Sequence, residues 1–137
     1  MLEYTHALSV EEYCELRAAV QWQSIVKEQA QSGLEHSDYI VACRDGEGII
    51  GCARVFWDKG YIAYLADVMV KPEYQGQGIG KKLVESCISY IHGQLREGWR
   101  IKIVIVSAKG KEAFYEKFGF QIRPNENDGA GMQMWCN

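Results

Sequence analysis

The sequence predicts an α+β fold, a mixed and mostly antiparallel β-sheet flanked by helices. Three observations lead there. Apolar runs at 39–43, 49–56 and 61–70 are separated only by short turns at 44–48 and 58–60, the pattern of an antiparallel meander. A helical stretch from about 77 to 93 then carries Ile79, Leu83, Cys87 and Ile91 on one face, with Val84 and Ile88 alongside and Lys81, Lys82, Glu85 and Ser89 opposite. Beyond it strand and helix alternate, which brings a parallel strand into the sheet.

The elements follow in order. Ser9-x-x-Glu12 reads as a capping box that opens a first helix, where Val10, Tyr13, Leu16 (or the stem of Arg17) and Val20 recur at helical spacing. A second helix is expected at about 24–33, ended by Gly33. Asp45-Gly46 is the hairpin signal between the first two strands of the meander. After the long helix come a strand at 101–106 and a helix at about 109–118 stopped by Gly119. Two short strands close the chain at 120–123 and 132–136, around the polar loop 124–131 that could rim an acceptor site or a subunit contact.

With 137 residues, 47% apolar and 24% charged, the chain is expected to be one globular domain, 1–137. No apolar run approaches the ~20 residues that span a bilayer, and Met-Leu-Glu-Tyr-Thr-His lacks the parts of a signal peptide. Cysteines at 14, 43, 52, 87 and 136 are odd in number and without a C-x-x-C pair, which argues against a disulfide framework or zinc and for a reducing cytoplasm. His6, His36 and His92 are scattered, so no metal is expected. A net charge of −3 with no basic block argues against nucleic acid, and nothing points to a membrane partner.

Chemistry concentrates at Gln75-Gly-Gln-Gly-Ile-Gly-Lys-Lys82, between the third strand with its Pro72 loop and the long helix. Strand, glycine loop, helix directs free N–H groups and the positive end of the helix dipole at an anion, and glycines admit close approach. A phosphate-bearing ligand is the functional reading; a glycine turn that merely starts a helix is the alternative. Two well-known phosphate loops fail on spacing. Gly76 to Gly80 is one residue short of a Walker A loop, with Lys82 where its hydroxyl should stand, and G-x-G-x-G is not the dinucleotide fingerprint.

What fits is Q-x-x-G-x-G at Gln75, Gly78 and Gly80, which resembles the acetyl-CoA loop of the GNAT superfamily of N-acetyltransferases. Ala113-Phe-Tyr-Glu-Lys-Phe-Gly-Phe120 resembles a second segment of that family, in the right order and at about the right distance. The resemblance covers the chain from about Tyr39 onward and implies a GNAT-like sheet in which the strand before the loop splays from the next, with acetyl-CoA as co-substrate in the opening. It implies pyrophosphate binding by the amides of Gln75, Gly76, Gln77, Gly78, Ile79 and Gly80, with charge from Lys81. It places the pantetheine arm and thioester carbonyl at the backbone of Val68, Met69 and Val70, with an oxyanion donor near Met69. Ser107, Lys109 and Lys111 fall where the family contacts pantetheine or the adenosine phosphate; the family's frequent asparagine there is replaced by Ser107 or Ala108. Tyr115 corresponds to the tyrosine that protonates the leaving sulfur.

Acetyl transfer to an amine needs the neutral amine, an oxyanion donor and a proton for the thiolate. Tyr115, a phenol protonated at neutral pH, is the candidate acid. Asp67 stands alone as an acid in the apolar run 61–70 and is the candidate base or amine anchor. Its alternative is a strand carboxylate paired with Arg54 or another cation; the resemblance also implies that an ordered water can serve in place of a direct base, as in some members of the family. Trp22, Phe56, Trp57, Tyr61 and Tyr64 are candidate walls for the acceptor pocket. Cys52 and Cys87 read as core thiols, so no acetyl-cysteine is expected.

The resulting expectation is an acetyl-CoA-dependent N-acetyltransferase that moves the acetyl group to a primary amine of a small molecule, by direct attack in a ternary complex. Acceptance by a protein N-terminus or lysine is less expected of so short a chain. A non-catalytic acyl-CoA-binding regulatory module is the alternative from another class. A homodimer is possible.

Overall fold

In the computed structural model, which describes residues 1–137, five strands form one sheet in the order β1-β2-β3-β4-β5. They are β1 Leu2–Thr5, β2 Tyr39–Asp45, β3 Gly48–Trp57, β4 Ile62–Val70 and β5 Lys102–Val104. The helices are α1 Val10–Ala19, α2 Lys27–Glu35, α3 Ile79–His92 and α4 Glu112–Glu116. Residues Met1–Val104 and Ile105–Asn137 make two compact units, each described by itself. The first four strands pair antiparallel, and β5 lies parallel to β4, so the sheet is mixed and mostly antiparallel as expected.

The meander forms as the turn chemistry directs. Gly46 takes φ +65° in the β2–β3 turn, a conformation that costs glycine nothing. Asp58 closes the next turn by accepting from the N–H groups of Gly60 at 2.7 Å and Ile62 at 3.3 Å. The capping box of α1 is complete, with Ser9 and Glu12 bonding each other's backbone N–H. Glu12 also receives Arg44 at 2.9 and 2.7 Å, tying α1 to β2. On α3 the predicted face is the buried one: Ile79, Leu83, Val84, Cys87 and Ile91 are all at most 3% exposed. Val10, Tyr13 and Leu16 of α1 join Ala30, Leu34, Ala42, Ile49, Cys52 and Met69 in a core cluster.

Four expectations are corrected. The N-terminus begins with β1, antiparallel to β2; four residues, Leu-Glu-Tyr-Thr, were too few to signal a strand by alternation. Helix α2 starts at Lys27 and runs past Gly33 to Glu35. Gly33 serves space instead of termination, because a Cβ there would stand 3.2 Å from the Arg54 guanidinium. In the second unit α4 spans only Glu112–Glu116, ahead of Gly119 at φ +101°. Regions 120–123 and 132–136 are not strands. Their apolar residues suit a sheet, but a strand exists only through a ladder partner, and the sheet ends at β5. The loop between them folds on itself: Asn125 Oδ1 accepts from the N–H groups of Asn127 and Asp128, and Arg123 donates to the Gly129 carbonyl at 2.6 Å.

Candidate active site

The site begins where β4 loses its neighbours. On one side β5 pairs only with Ile62, Ala63 and Tyr64, so from Leu65 to Val70 that edge of β4 carries no strand. On the other side the register to β3 shifts. Cys52 faces Met69 and Arg54 faces Ala66, leaving Asp67 and Val68 opposite the single residue Ala53. This is a β-bulge, and Asp67 takes φ +54° in it. Aspartate is among the few residues that tolerate the left-handed region.

Beyond the bulge the alternation is readable. The Lys71 N–H donates to the Ile50 carbonyl at 2.9 Å, toward β3. Residues two apart in a strand direct their backbone groups to the same side. Met69 therefore faces β3 and Val70 the open edge. The Gln75 side chain caps that edge by donating to the Val70 carbonyl at 2.9 Å. Gln75 thus braces the loop against β4. Met69 itself is buried, and its carbonyl lies so close to Gly51 that a Cβ there would approach it to 2.8 Å.

A 3-10 turn at Pro72–Tyr74 leads into the glycine loop. Gly76 has φ +81°, and Gly78, the N-cap of α3, has φ +83°. No side chain caps α3, and no acid stands in its first turn. The first helical N–H groups, from Ile79 onward, have no partner within the helix. A Cβ built on Gly76 or Gly78 would meet nothing within 4 Å, so the space over both glycines is open. Residues 75–78 are exposed while Ile79 is anchored in the core. Lys81 is exposed beside the loop, and Lys82 lies over the Tyr4 ring at 4.7 Å. The arrangement is an exposed cradle of backbone donors on a rigid helix, which suits a phosphate group.

Asp67 is the centre of a polar cluster. Its Oδ2 accepts from the Tyr13 hydroxyl at 2.7 Å and from Arg54 Nε at 2.6 Å, and Arg17 Nη1 lies 3.8 Å from Oδ1. The Asp67 side chain is 14% exposed and those of Arg54 and Arg17 13% and 11%. Arg17 is held by two bonds to the Gln23 carbonyl, and Arg54 reaches Ser37. Burial, then the Asp67 charge and hydrogen bond, push the Tyr13 phenol up to about 12, against a smaller pull from Arg54 and Arg17. Burial chiefly, with Asp67 adding, raises the neighbouring Tyr64 phenol. The alternative pairing with Arg54 is therefore formed. Tyr13 and Arg17, fifty or more residues away in the chain, gave no local signal beyond Tyr13's helical spacing.

The aromatic candidates are partly occupied. Arg17 lies over Trp22 at 5.7 Å, Arg54 over Phe56 at 4.7 Å, Lys59 over Trp57 at 5.0 Å and Lys102 over Tyr61 at 5.9 Å. Tyr64 packs at 6.4 Å from Phe56. One face of each of the first four rings already carries a cation of the protein itself.

In the second unit the Ser107 hydroxyl donates to the Ala108 carbonyl at 2.7 Å, and Lys111 is the N-cap of α4 with an exposed side chain. Tyr115 is half-buried, with ring centres of Phe114 and Phe120 at 5.0 and 6.0 Å. No group of three or more His, Cys, Asp or Glu side chains is placed to hold a metal ion. No helix is long and apolar enough to cross a membrane.

The model of the acetyltransferase (GNAT) domain matches residues 35–122, spanning the meander, the bulge, the glycine loop and Tyr115. The chain belongs to the GNAT acetyltransferases. It is thus an acyltransferase, of a family that generally uses acetyl-CoA as co-substrate. Among related GNAT proteins, an uncharacterized N-acetyltransferase, ycf52, of Porphyra purpurea is 28% identical over 138 residues, covering 98% of this chain and 75% of the relative. A protein of meticillin-resistant Staphylococcus aureus, described as a probable acetyltransferase, superposes with a TM-score of 0.88 at 29% identity, covering 99% of this chain and 100% of the other. A GNAT-family acetyltransferase of Streptococcus pneumoniae superposes at 0.75 with 27% identity, over 100% and 97% of the two chains.

Proposed function

We propose that this GNAT chain acts as one domain, in the cytoplasm, to acetylate a primary amine of a small molecule by direct attack within a ternary complex with acetyl-CoA. The observation that carries the reading is the uncapped N-terminus of α3 under two left-handed glycines, set directly after an edge of β4 that has neither strand nor cap beyond Gln75.

Acetyl-CoA supplies the acetyl group as a thioester. The N–H groups of the 75–80 loop, with Gly76 and Gly78 leaving room, hold its pyrophosphate, and Lys81 adds charge. The open edge of β4 aligns the pantetheine arm along Val68, Met69 and Val70. Of these, Val70 directs its N–H outward and is the donor for the thioester oxygen, one residue beyond Met69. Ser107 and Lys111 bind the cofactor's remaining parts. Tyr115 holds a proton at its hydroxyl for the departing sulfur. Asp67 anchors the amine and takes its proton through Oδ1, the oxygen that Tyr13 and Arg54 leave free and that Arg17 approaches only to 3.8 Å. A small acceptor suits this carboxylate, which is sunk among α1, β3 and β4.

The test is mass-spectrometric detection of acetylated product from acetyl-CoA and a panel of polyamines, aryl-alkylamines, amino acids, aminoglycosides and short peptides. A product from a small amine carries the reading. Product from peptides alone overturns the small-molecule acceptor. Acetyl-CoA binding with no product from any member overturns turnover and leaves a binding module.

A further inference from the structure

The Asp67 cluster holds more positive charge than it balances. Arg17 and Arg54 bring two guanidiniums to one carboxylate. The other groups that face it, the phenols of Tyr13 and Tyr64, are neutral at pH 7. The pairing is also uneven. Arg54 Nε takes Oδ2 at 2.6 Å, and the Tyr13 hydroxyl donates to the same oxygen at 2.7 Å. Arg17 commits Nε and Nη2 to the neutral Gln23 carbonyl, at 3.0 and 2.6 Å. Its Nη1 makes only a long bond of 3.4 Å to the Tyr13 hydroxyl and stands 3.8 Å from Oδ1. Oδ1 accepts no hydrogen bond from the protein. Every buried side-chain nitrogen and oxygen of the chain has a partner, so Oδ1 reaches solvent.

Both guanidiniums are held in place by rings. Arg17 lies over Tyr13 and Trp22 at 5.8 and 5.7 Å, and Arg54 over Tyr13 and Phe56 at 5.3 and 4.7 Å. A buried cation without a carboxylate of its own is unfavourable to a fold, so Arg17 is better placed to meet a ligand than to add stability. A fixed guanidinium beside an open carboxylate oxygen selects a ligand that carries both charges. Covalent geometry puts the nitrogen and the carboxylate oxygens of an α-amino acid about 3 Å apart. Anchors 3.8 Å apart, each reached by a hydrogen bond of about 2.8 Å, match that separation. A diamine brings a second cation to the unbalanced guanidinium and is repelled. An amine without a carboxylate leaves Arg17 unanswered.

We propose that Arg17 Nη1 and Asp67 Oδ1 form a site for a free α-amino acid, with Arg17 on the α-carboxylate and Asp67 on the α-ammonium, and that the acetyl group goes to the α-nitrogen. The proposal rests on the reading of Asp67 as the amine anchor and names the acceptor class within it. Of the two protons the ammonium loses, one passes to Oδ1 and on to solvent. The other makes good the proton given to the departing sulfur. The nitrogen–acetyl bond forms as the carbon–sulfur bond breaks, and the products are an N-acetylamino acid and the CoA thiol. Arg17 is then the residue that separates amino acids from simple amines.

The test uses the full chain with saturating acetyl-CoA. The best substrate among the standard amino acids is set against its own carboxamide and its decarboxylated amine. The amino acid is expected to have a kcat/KM at least ~50-fold above either, because the site's guanidinium is otherwise left without its anion. Fragment mass spectrometry is expected to find the acetyl group on the α-nitrogen. Arg17→Gln is expected to lower kcat/KM for the amino acid at least ~30-fold more than for the carboxamide, and Arg17→Lys to restore part of the preference. Equal losses on both substrates would assign Arg17 to structure alone and overturn the proposal. So would a wild-type chain that turns over the carboxamide or the amine as well as the amino acid, whether or not the variants fold. Binding is read separately, from the ¹⁵N resonance of Arg17 Nε, assigned by its loss in Arg17→Lys. It is expected to shift saturably with the amino acid and not with the carboxamide. If no acceptor gives product, the transferase reading falls; a saturable shift then still upholds the site, and its absence overturns it.

Discussion

Asp67 illustrates how one residue serves structure and site together. Two guanidiniums and a phenol converge on it from α1 and β3. Removing the carboxylate leaves buried cations without their partner, a change that typically costs ~3–5 kcal/mol. Tyr13 offers a cleaner handle, because its raised phenol makes a claim about pH. The folded state retains the Tyr13 proton up to about pH 12, whereas an unfolded tyrosine releases it near the reference value of 10. Between those values the folded state binds more protons, so stability is full below pH 10 and falls as pH rises toward 12. Tyr13→Phe is expected to lose stability at pH 7 but to show a flatter decline from pH 10 to 12, measured by urea unfolding at each pH. Equal slopes would mean that burial and Asp67 do not raise the Tyr13 phenol in the folded state. Tyr115→Phe tests the chemistry instead. Its expected effect is a fall in turnover of about 100-fold, with the acetyl-CoA dissociation constant within twofold of wild type, read by calorimetry. An unchanged turnover would remove Tyr115 as the acid.

The elements divide into those whose instructions are local and those whose instructions are not. The α3 face, the capping box of α1 and the Asp45-Gly46 hairpin were legible because each is written within a few residues. The bulge at Asp67–Val68 was not, since no glycine marks it and the partners that hold the Asp67 side chain, Arg54 and Tyr13, lie on other elements. The end of α2 was misread for a related reason: Gly33 answers to Arg54, a residue on another element. The glycine loop was legible both as local structure and as an anion site, and α3 is the element on which that reading can be tested. Gly78→Ala adds a Cβ that meets no protein atom, so its cost to the fold is limited to the left-handed backbone, about 1–2 kcal/mol. The same Cβ projects into the space assigned to the pyrophosphate. The expected result is an acetyl-CoA dissociation constant raised at least tenfold. Gly78→Asn, which tolerates the left-handed region better, is expected to restore part of the stability and none of the affinity. Melting curves and calorimetry on both variants separate backbone strain from ligand collision. Unchanged affinity in both would place the phosphates elsewhere.

At the scale of the molecule, β2, β3 and α3 bury the thiols of Cys43, Cys52 and Cys87, each at most 1% exposed. Burial pushes the Cys87 thiol up to about 12 and raises those of Cys52 and Cys43. Thiolate is the reactive form, so these three are inert until the structure opens. That fits direct transfer better than an acetyl-cysteine, and it makes the thiols reporters of cooperativity. In a chain with Cys14→Ser and Cys136→Ser, labelling by a maleimide at pH 8 follows only the opening of the fold. If the sheet and α3 open as one unit, peptide mass spectrometry will give the three cysteines one common opening free energy. If α3 detaches on its own, Cys87 will label faster than Cys43. The one-unit result is expected, because Leu83, Val84 and Cys87 are wholly buried in the core. Acetyl-CoA then supplies the second half of the argument. A ligand that binds only the folded state adds RT ln(1 + [L]/Kd), about 2.7 kcal/mol at one hundred times its dissociation constant. All three labelling rates should fall together by about 100-fold under that load. Protection of Cys87 alone would mean that the cofactor steadies α3 without being linked to the sheet, and the β4 edge would then lose its role in holding it.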